Sequence, residues 1–438
     1  MNEQIKHRIT QLNNGEVPSG YEKTDFGIFP CDWVKDKTFG DLFDFYGGLG
    51  KSRDELGDEG HAYLHYGDLH RGAFNVVSHE QYEQLPKYDV ALKGTETYLM
   101  EDGDVAFLDA SEDLEGTSRA VLIDNPDNEP FIAGLHIIYG KSKDKSLEKW
   151  YKQYITSSES VRKQFQRLAA GFKVYGVNRD TLPRIQVAYP KSTEEQSKIA
   201  EILMKWDEAI ELQEQYIECY TKIKKGLFKK LFSFDEGTSS YVRLGDAVVS
   251  MASGGTPLTS KSEYFDGDIV WVSIDDITKC DKYIMDSARK LTVAGIDNSS
   301  AKLFPAGTIL YAMYASIGKC AIADIECSSS QAILGIVPNA DILDIQYLYY
   351  YLCSIQESIA LQGQQGTQSN LNKKMVESFQ IPVPTNECGV DLQKQKYIAS
   401  VLINMDEVIS MHKTKQEKLK KQRKTLQQYL LNGIVRVK

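Results

Sequence analysis

The chain has no uninterrupted apolar run of about 18 residues, the length a membrane-crossing helix needs, so no spanning segment is expected. Its opening residues, Met1-Asn2-Glu3-Gln4-Ile5-Lys6-His7-Arg8, lack the apolar stretch of a signal peptide, which points to a cytoplasmic protein. Seven cysteines are scattered at 31, 219, 280, 320, 327, 353 and 388, and no two stand in a Cys-x-x-Cys pair. An odd, dispersed set argues against a disulfide framework and against zinc. Positive charge is also short, with a net charge of −10. Nucleic-acid affinity depends on local potential, however, and two stretches run against the balance. Residues 141–184 and 391–438 each carry a net +7.

Catalytic motifs are missing too. Gly47-Gly48-Leu49-Gly50-Lys51-Ser52 has the ending of a phosphate loop, but Phe45 stands where the first glycine is required, and Arg53-Asp54-Glu55 replaces an apolar helix start. Asn125-Pro126-Asp127 lacks the second proline and the aromatic of an amino-methyltransferase motif. The pairs Asp275-Asp276 and Glu112-Asp113 have no Glu-x-Lys at useful spacing, and read as solvated loop carboxylates. The histidines, densest at His61, His65 and His70, form no ligand cluster. None of these stretches completes a catalytic, cofactor-binding or metal motif.

What the sequence does contain is a repeat. Residues 194–231 recur as 393–430 at a constant offset of 199, aligning Gln196 with Gln395, Ile199-Ala200 with Ile398-Ala399, and Asp207 with Asp406. Neither copy contains proline, and Gly226 is the only glycine. Alternating steps of four and three trace a seam in each copy. The first reads Ile199, Leu203, Trp206, Ile210, Gln213, Ile217, Tyr220, Lys224, Leu227, Leu231. The second reads Ile398, Leu402, Met405, Ile409, His412, Gln416, Leu419, Arg423, Leu426, Leu430. This spacing predicts two long helices packed as an antiparallel coiled coil, the polar seam positions setting register. Two amphipathic helices lying on separate bodies is the alternative.

A body of mixed strand and helix precedes each long helix. Phe39-Gly40-Asp41 is answered by Leu244-Gly245-Asp246, Gly47-Gly48 by Gly254-Gly255, and Gly103-Asp104 by Gly307-Thr308. The Trp150 helix is answered by the one around Tyr347, Asn178 by Asn372, and Pro190 by Pro384. The expected fold is α/β, mixed α+β, with a pseudo-two-fold internal repeat. The expected divisions are an arm at 1–18, a first body at 19–190, a helix at 191–234, a second body at 235–389 and a helix at 390–438.

Each body offers two stretches suited to nucleic acid. A glycine-rich loop lets a backbone approach closely while neighbouring side chains donate to phosphates. Lys51, Ser52 and Arg53 occupy that place in the first body, and Thr256 and Lys261 in the second, although a plain surface turn reads equally well. After each aromatic helix comes a polar stretch suited to base readout. In the first body it includes Arg167, Lys173 and Tyr175. In the second it is Gln364, Gln365, Thr367, Gln368, Ser369 and Asn370, followed by Lys373. Gln and Asn pair with adenine, and Arg with guanine. Arg71 completes the first body's set of DNA-contacting candidates. A flexible polar loop is the plain alternative.

Together these features resemble the specificity subunit of a Type I restriction–modification enzyme. The resemblance rests on Gly20-Tyr21-Glu22-Lys23-Thr24 through Gly27-Ile28-Phe29-Pro30-Cys31-Asp32-Trp33. It rests also on Pro190 with Glu195-Gln196-Ser197-Lys198-Ile199-Ala200, its copy Pro384 with Gln395-Lys396-Tyr397-Ile398-Ala399, and Gly366-Thr367-Gln368-Ser369-Asn370-Leu371. Phe29 departs from the more usual isoleucine, and Phe172-Lys173-Val174-Tyr175 replaces a Gln-Ser-Asn loop in the first body.

The resemblance implies two target recognition domains, each reading half of an asymmetric site on double-stranded DNA. It implies helices that space them and dock two methyltransferase subunits, with Ile199, Leu203, Trp206, Ile210, Ile398, Leu402, Met405 and Ile409 as docking positions. Those partners would bind S-adenosylmethionine and methylate adenine at N6. Separate motor–nuclease subunits would use ATP and Mg. A helix of about 40 residues spans roughly 60 Å, on the order of one and a half turns of DNA. A Type IIB-like recognition subunit and a coiled-coil adaptor with no DNA role are the competing readings.

Overall fold

The computed structural model describes residues 3–70, 76–91, 93–94, 96–111, 119–168, 175–176, 178–235, 237–365 and 370–437; within these, His70, Ala110, Ser111, Tyr175, Gly176 and 362–365 are described by backbone alone. By packing, the chain divides into two units, one of Met1–Leu212 with Gln416–Lys438 and one of Gln213–Lys415. The division falls inside both long helices rather than at their ends, because each unit takes a portion of both helices into its own core.

The long helices span Thr193–Leu231 and Leu392–Leu431. A sequence rich in helix formers, with no proline and only Gly226 as a weak point, lets both run for about eleven turns. Every seam position is buried or half-buried, while positions between them, such as Glu201, Lys205, Glu211, Lys413 and Lys421, are exposed. In the first unit Glu195 meets Arg436 and Asp207 meets Arg423, so partner numbers fall as helix numbers rise. In the second, Gln213 meets His412 and Lys224 meets Asp406. The helices therefore pack antiparallel, with the polar seam residues Gln213 and His412 paired to each other, and Lys224 and Arg423 paired to the flanking Asp406 and Asp207.

The first unit carries a five-stranded sheet ordered Phe43–Gly47, Ile137–Ser142, Val105–Leu108, Ala120–Ile123, Val76–Val77. Its first three pairings are antiparallel and the last is parallel. A four-stranded sheet runs Lys87–Tyr88, His61–Leu64, Phe131–Ala133, Leu99–Met100, parallel only in its middle pairing. The second unit repeats both. Its five-stranded sheet runs Val248–Ser253, Ile333–Pro338, Ile309–Ala312, Cys320–Ala323, Tyr283–Ile284. Its four-stranded sheet runs Arg289–Leu291, Phe265–Val272, Cys327–Ser329, Leu303–Phe304. The parallel pairings fall at the same places. These two sheets match strand for strand between the bodies, although the sequences match only at punctuation. A buried strand needs apolar, β-branched residues but no particular ones, so its sequence can drift without changing the fold.

One side of the first unit's five-stranded sheet is covered by the helices Lys149–Thr156 and Glu159–Leu168 and the start of the first long helix. Phe39, Phe107, Tyr151, Tyr154, Phe165, Ile199, Leu203, Leu430 and Leu431 share one core there. The second unit uses Tyr347, Tyr350 and Leu352 from the helix Ile345–Gln365 against Ile309, Tyr311, Ile398 and Leu402. Ile199, Leu203, Ile398 and Leu402 are fully buried, so these four docking positions are occupied within the chain. Trp206, Ile210 and Met405 are half-buried in the seam, and Ile409 is buried there. The apolar side chains left exposed on the long helices are others, among them Leu212, Tyr216, Ile223, Tyr397 and Met411.

Two repeated glutamines lock each long helix to its body. Gln196 Oε1 accepts from Glu148 N at 2.7 Å, and Nε2 donates to Ser146 O and Pro190 O at 2.9 Å. Gln395 does the same with Asp344 N at 2.8 Å and Ile342 O at 2.9 Å. Both are wholly buried, where an unpaired amide is costly.

Candidate nucleic-acid interface

The glycine-rich loops leave the edge strand of each five-stranded sheet and press onto the four-stranded sheet. Gly48 N donates to Ile137 O at 2.9 Å and Leu49 N to Ala133 O at 2.8 Å. In the second unit Gly254 N donates to Ile333 O at 3.0 Å and Gly255 N to Ser329 O at 2.9 Å. Gly48 therefore corresponds to Gly254 and Leu49 to Gly255, one residue away from the match that glycine spacing suggests. The glycines are needed for contact with protein backbone. A Cβ on Gly48 would lie 1.8 Å from Gly134 O, and one on Gly254 2.2 Å from Ser329 O.

Tyr63 staples the first loop. Its hydroxyl donates to Leu49 O at 2.5 Å and accepts from Leu135 N at 2.8 Å and Lys51 N at 3.1 Å. Trp271 does related work in the second unit, donating from Nε1 to Gly255 O at 3.0 Å.

Lys51, Ser52 and Arg53 are close together and already partnered. Ser52 precedes a short turn, Arg53–Glu55, and its amide and hydroxyl donate to Glu55 at 2.9 and 3.1 Å. Lys51 pairs with Glu55 at 2.8 Å and lies 5.2 Å from the centre of the Tyr88 ring. These bonds, the Lys51 bond foremost, lower the Glu55 carboxyl to about 2 and keep the Lys51 ammonium protonated. Arg53 pairs with Asp68 at 2.9 Å. A phosphate arriving here would exchange with carboxylates on a half-exposed surface, where ion pairs are weak.

Sequence reasoning named His65 but did not bring Tyr66, His136 or Arg179 to this turn. The rings of His65 and Tyr66 lie 4.5 Å apart, and those of Tyr66 and His136 5.5 Å apart. His136 has φ of +62° and contacts Asp109 at 2.9 Å. A left-handed histidine is uncommon and marks a position held by its surroundings. His65 is buried and accepts from Gly67 N at 3.1 Å; burial lowers its pKa. Arg179 lies 3.9 Å from where a Gly47 Cβ would stand. No spacing rule links residues 47, 65, 136 and 179; only the sheets bring them together.

In the second unit Thr256 donates to Gln331, and Lys261 is exposed, 3.4 Å from Glu263. The polar stretches that follow the aromatic helices occupy matched positions. In the first unit Tyr175–Gly176 pairs antiparallel with Ala110–Ser111, just beyond the central strand Val105–Leu108. In the second, Leu371 N donates to Met313 O at 3.0 Å, just beyond the central strand Ile309–Ala312. Asn370 is exposed at that junction, near a hairpin containing exposed Tyr314 and left-handed Ala315. Arg167 is exposed at the end of its helix, and Lys373 lies 3.5 Å from Glu377. Arg71, Lys173, Thr367, Gln368 and Ser369 lie outside the described residues, as do the side chains of Tyr175, Gln364 and Gln365.

Among the described residues no group of His, Cys, Asp or Glu is arranged to hold a metal ion, and no helix is long and apolar enough to cross a membrane.

Comparison with known proteins gives a consistent result. The Type I restriction modification DNA specificity domain matches twice, at residues 31–219 and 237–421. The specificity subunit attributed to the type I restriction enzyme MjaX of Methanocaldococcus jannaschii is 23% identical over 441 residues, covering 95% of this chain and 97% of that one. The EcoR124I/EcoR124II specificity subunit of Escherichia coli is 28% identical over 185 residues, covering 40% of this chain and 43% of its own. A crystal structure of a Type I restriction–modification S subunit from M. genitalium superposes with a TM-score of 0.54 at 18% identity, covering 91% of this chain and 96% of the other. A chain from a structural study of complex assembly and conformational transition in the type I system superposes at 0.60 with 16% identity, covering 96% and 100%.

Proposed function

We infer the function from one premise: this chain belongs to the family of Type I restriction modification DNA specificity domains, which it contains twice. It is the DNA-reading specificity subunit of a Type I restriction–modification system and is itself non-catalytic. Each body reads one half of a bipartite, asymmetric DNA site, and the long helices set the spacing. The observation that carries this reading is the repeated architecture. Two bodies share one strand order, and the same two polar elements recur at equivalent places with different side chains. A dimer of identical subunits reads a palindrome; one chain with two unlike bodies reads two unlike half-sites.

The finer assignments are part of the proposal. Two methyltransferase subunits dock on the helices, bind S-adenosylmethionine and methylate adenine N6 in each half-site. Motor–nuclease subunits using ATP and Mg join them, and the assembly works in the cytoplasm. Phosphate contacts come from Lys51, Arg53, Arg167, Lys261 and Lys373. Base readout comes from the stretches around Tyr175 and Asn370, on the mixed polar side chains that they carry.

The test is a footprint of the chain with its methyltransferase partner on host DNA. Two protected patches separated by an unprotected spacer are expected, weakening steeply as salt rises. Protection that is absent or indifferent to salt would return the chain to the adaptor reading.

A further inference from the structure

The seven cysteines are dispersed along the chain, yet two of them meet. Cys320 opens the strand Cys320–Ala323, and Cys353 lies on the helix Ile345–Gln365. Their sulfurs are 3.6 Å apart, and both are free thiols. No other thiol–thiol contact occurs among the described residues. The pair lines a groove of about 870 Å³, walled by Lys224, Phe228, Lys319 and Tyr349 among others. Cys320 is buried, whereas Cys353 is half-buried.

We propose that Cys320 and Cys353 form a modification site: a dithiol that hydrogen peroxide oxidises reversibly to an intramolecular disulfide. The roles differ between the two sulfurs. Cys353 is the attacking group because its surroundings favour the thiolate. The hydrogen bond from Cys320 contributes most, the Tyr349 hydroxyl and the Lys224 ammonium add to it, and burial and Asp406 oppose it. Cys320 is held as a thiol by that same hydrogen bond and by burial, with Cys280 the other thiol acting on it electrostatically. A neighbouring cation and a hydrogen-bond donor favour the reactive thiolate, and a neutral thiol in contact with it is a resolving partner.

The Cys353 thiolate attacks one peroxide oxygen. An S–O bond forms, the O–O bond breaks, and hydroxide leaves and takes a proton to become water. The Cys320 sulfur then attacks the sulfenic sulfur. The S–S bond forms, the S–O bond breaks, and a second water departs with the Cys320 proton. Two thiols are oxidised and one peroxide is reduced to two waters. The new bond would join a strand of the five-stranded sheet to the helix that leads into the stretch around Asn370.

The full-length wild-type chain is treated with stoichiometric hydrogen peroxide, alkylated without reduction, digested, and mapped by tandem mass spectrometry. The expected result is a linked pair of peptides containing Cys320 and Cys353, lighter by two hydrogens, which separates after dithiothreitol. Cys353→Ser should abolish the linkage and leave Cys320 alkylatable after denaturation. Recovery of Cys320 and Cys353 as separate alkylated or over-oxidised peptides overturns the proposal, as does linkage of Cys320 to Cys280. Because the wild-type map decides, a variant that fails to fold does not affect the outcome.

Discussion

Arg423 grips Asp207 with two hydrogen bonds, Nε to Oδ1 at 2.8 Å and Nη2 to Oδ2 at 3.1 Å, and Tyr154 donates to the same carboxylate at 2.8 Å. The repeat reproduces this arrangement. Asp406 accepts from Tyr350 at 2.7 Å and pairs with Lys224. Each aspartate thus joins its own body's tyrosine to a basic residue on the opposing helix. One carboxylate aligns the body with the coil, and its bidentate geometry specifies register as well as attraction.

Replacing Asp207 with Ala should therefore destabilise the first unit by about 1–3 kcal/mol, because Arg423 and the Tyr154 hydroxyl lose a partly buried partner together. Arg423→Ala should cost less, since Tyr154 keeps its acceptor. A double-mutant cycle in urea unfolding should return a coupling of about 1–2 kcal/mol; additive effects would mean the pair does not hold the seam.

Gln196→Leu and Gln395→Leu should each cost about 1–3 kcal/mol, because each leaves at least one partly buried N–H and one carbonyl without a partner. The prediction is local as well as energetic. Hydrogen exchange should accelerate at Glu148 N in the first variant and at Asp344 N in the second, the amides each glutamine accepts from. Uniform acceleration across the chain would point to general loosening instead.

Asp104 is buried, and desolvation, the largest influence on it, raises its carboxyl to about 7 despite the bond from Glu101 N. Its folded pKa lies above the ordinary 3.8, so between those values the native state binds the extra proton. The associated stability is present below about pH 4 and is lost as pH rises through 7. Asp104→Asn should flatten this dependence and make the chain more stable at pH 8 by on the order of a few kcal/mol. Thr308 holds the equivalent place in the second unit without any charge. Thermal unfolding of both forms from pH 4 to 8 measures the effect.

Gly48→Ala should displace the first glycine-rich loop, since its Cβ would collide with Gly134 O, at a cost of about 1–3 kcal/mol. Gly50→Ala should be nearly neutral, because its Cβ would meet only Leu135 Cδ1 at an ordinary 3.7 Å. In the footprint assay, Gly48→Ala should lose protection of one half-site and keep the other. Loss of both would mean that this loop does not serve its own body alone.

The long helices were fully legible in the sequence, since helical pattern and heptad spacing are local properties, and every seam position is buried or half-buried. Pairing within the seam was legible only as polar positions; that Asp207 takes Arg423 rather than another cation depends on which helix lies opposite. Strands such as Val105–Leu108 and Ala120–Ile123 have the apolar composition of buried strands, but composition carries no information about their order. Two candidate stretches per body can be proposed from the sequence, and the sheets bring Tyr66, His136 and Arg179 near those of the first body.

By itself, the sequence determined that this protein has two bodies and two matching long helices, because periodicity, proline placement and a 199-residue repeat can be read along the chain. Only the tertiary structure decided that the bodies share one strand order, that Gly48 rather than Gly47 corresponds to Gly254, that Lys51 and Arg53 have carboxylate partners, and that Cys320 meets Cys353. Those are contacts between residues far apart in the chain. They form because burying the sheets leaves few ways to arrange them, and no local pattern records which one is taken.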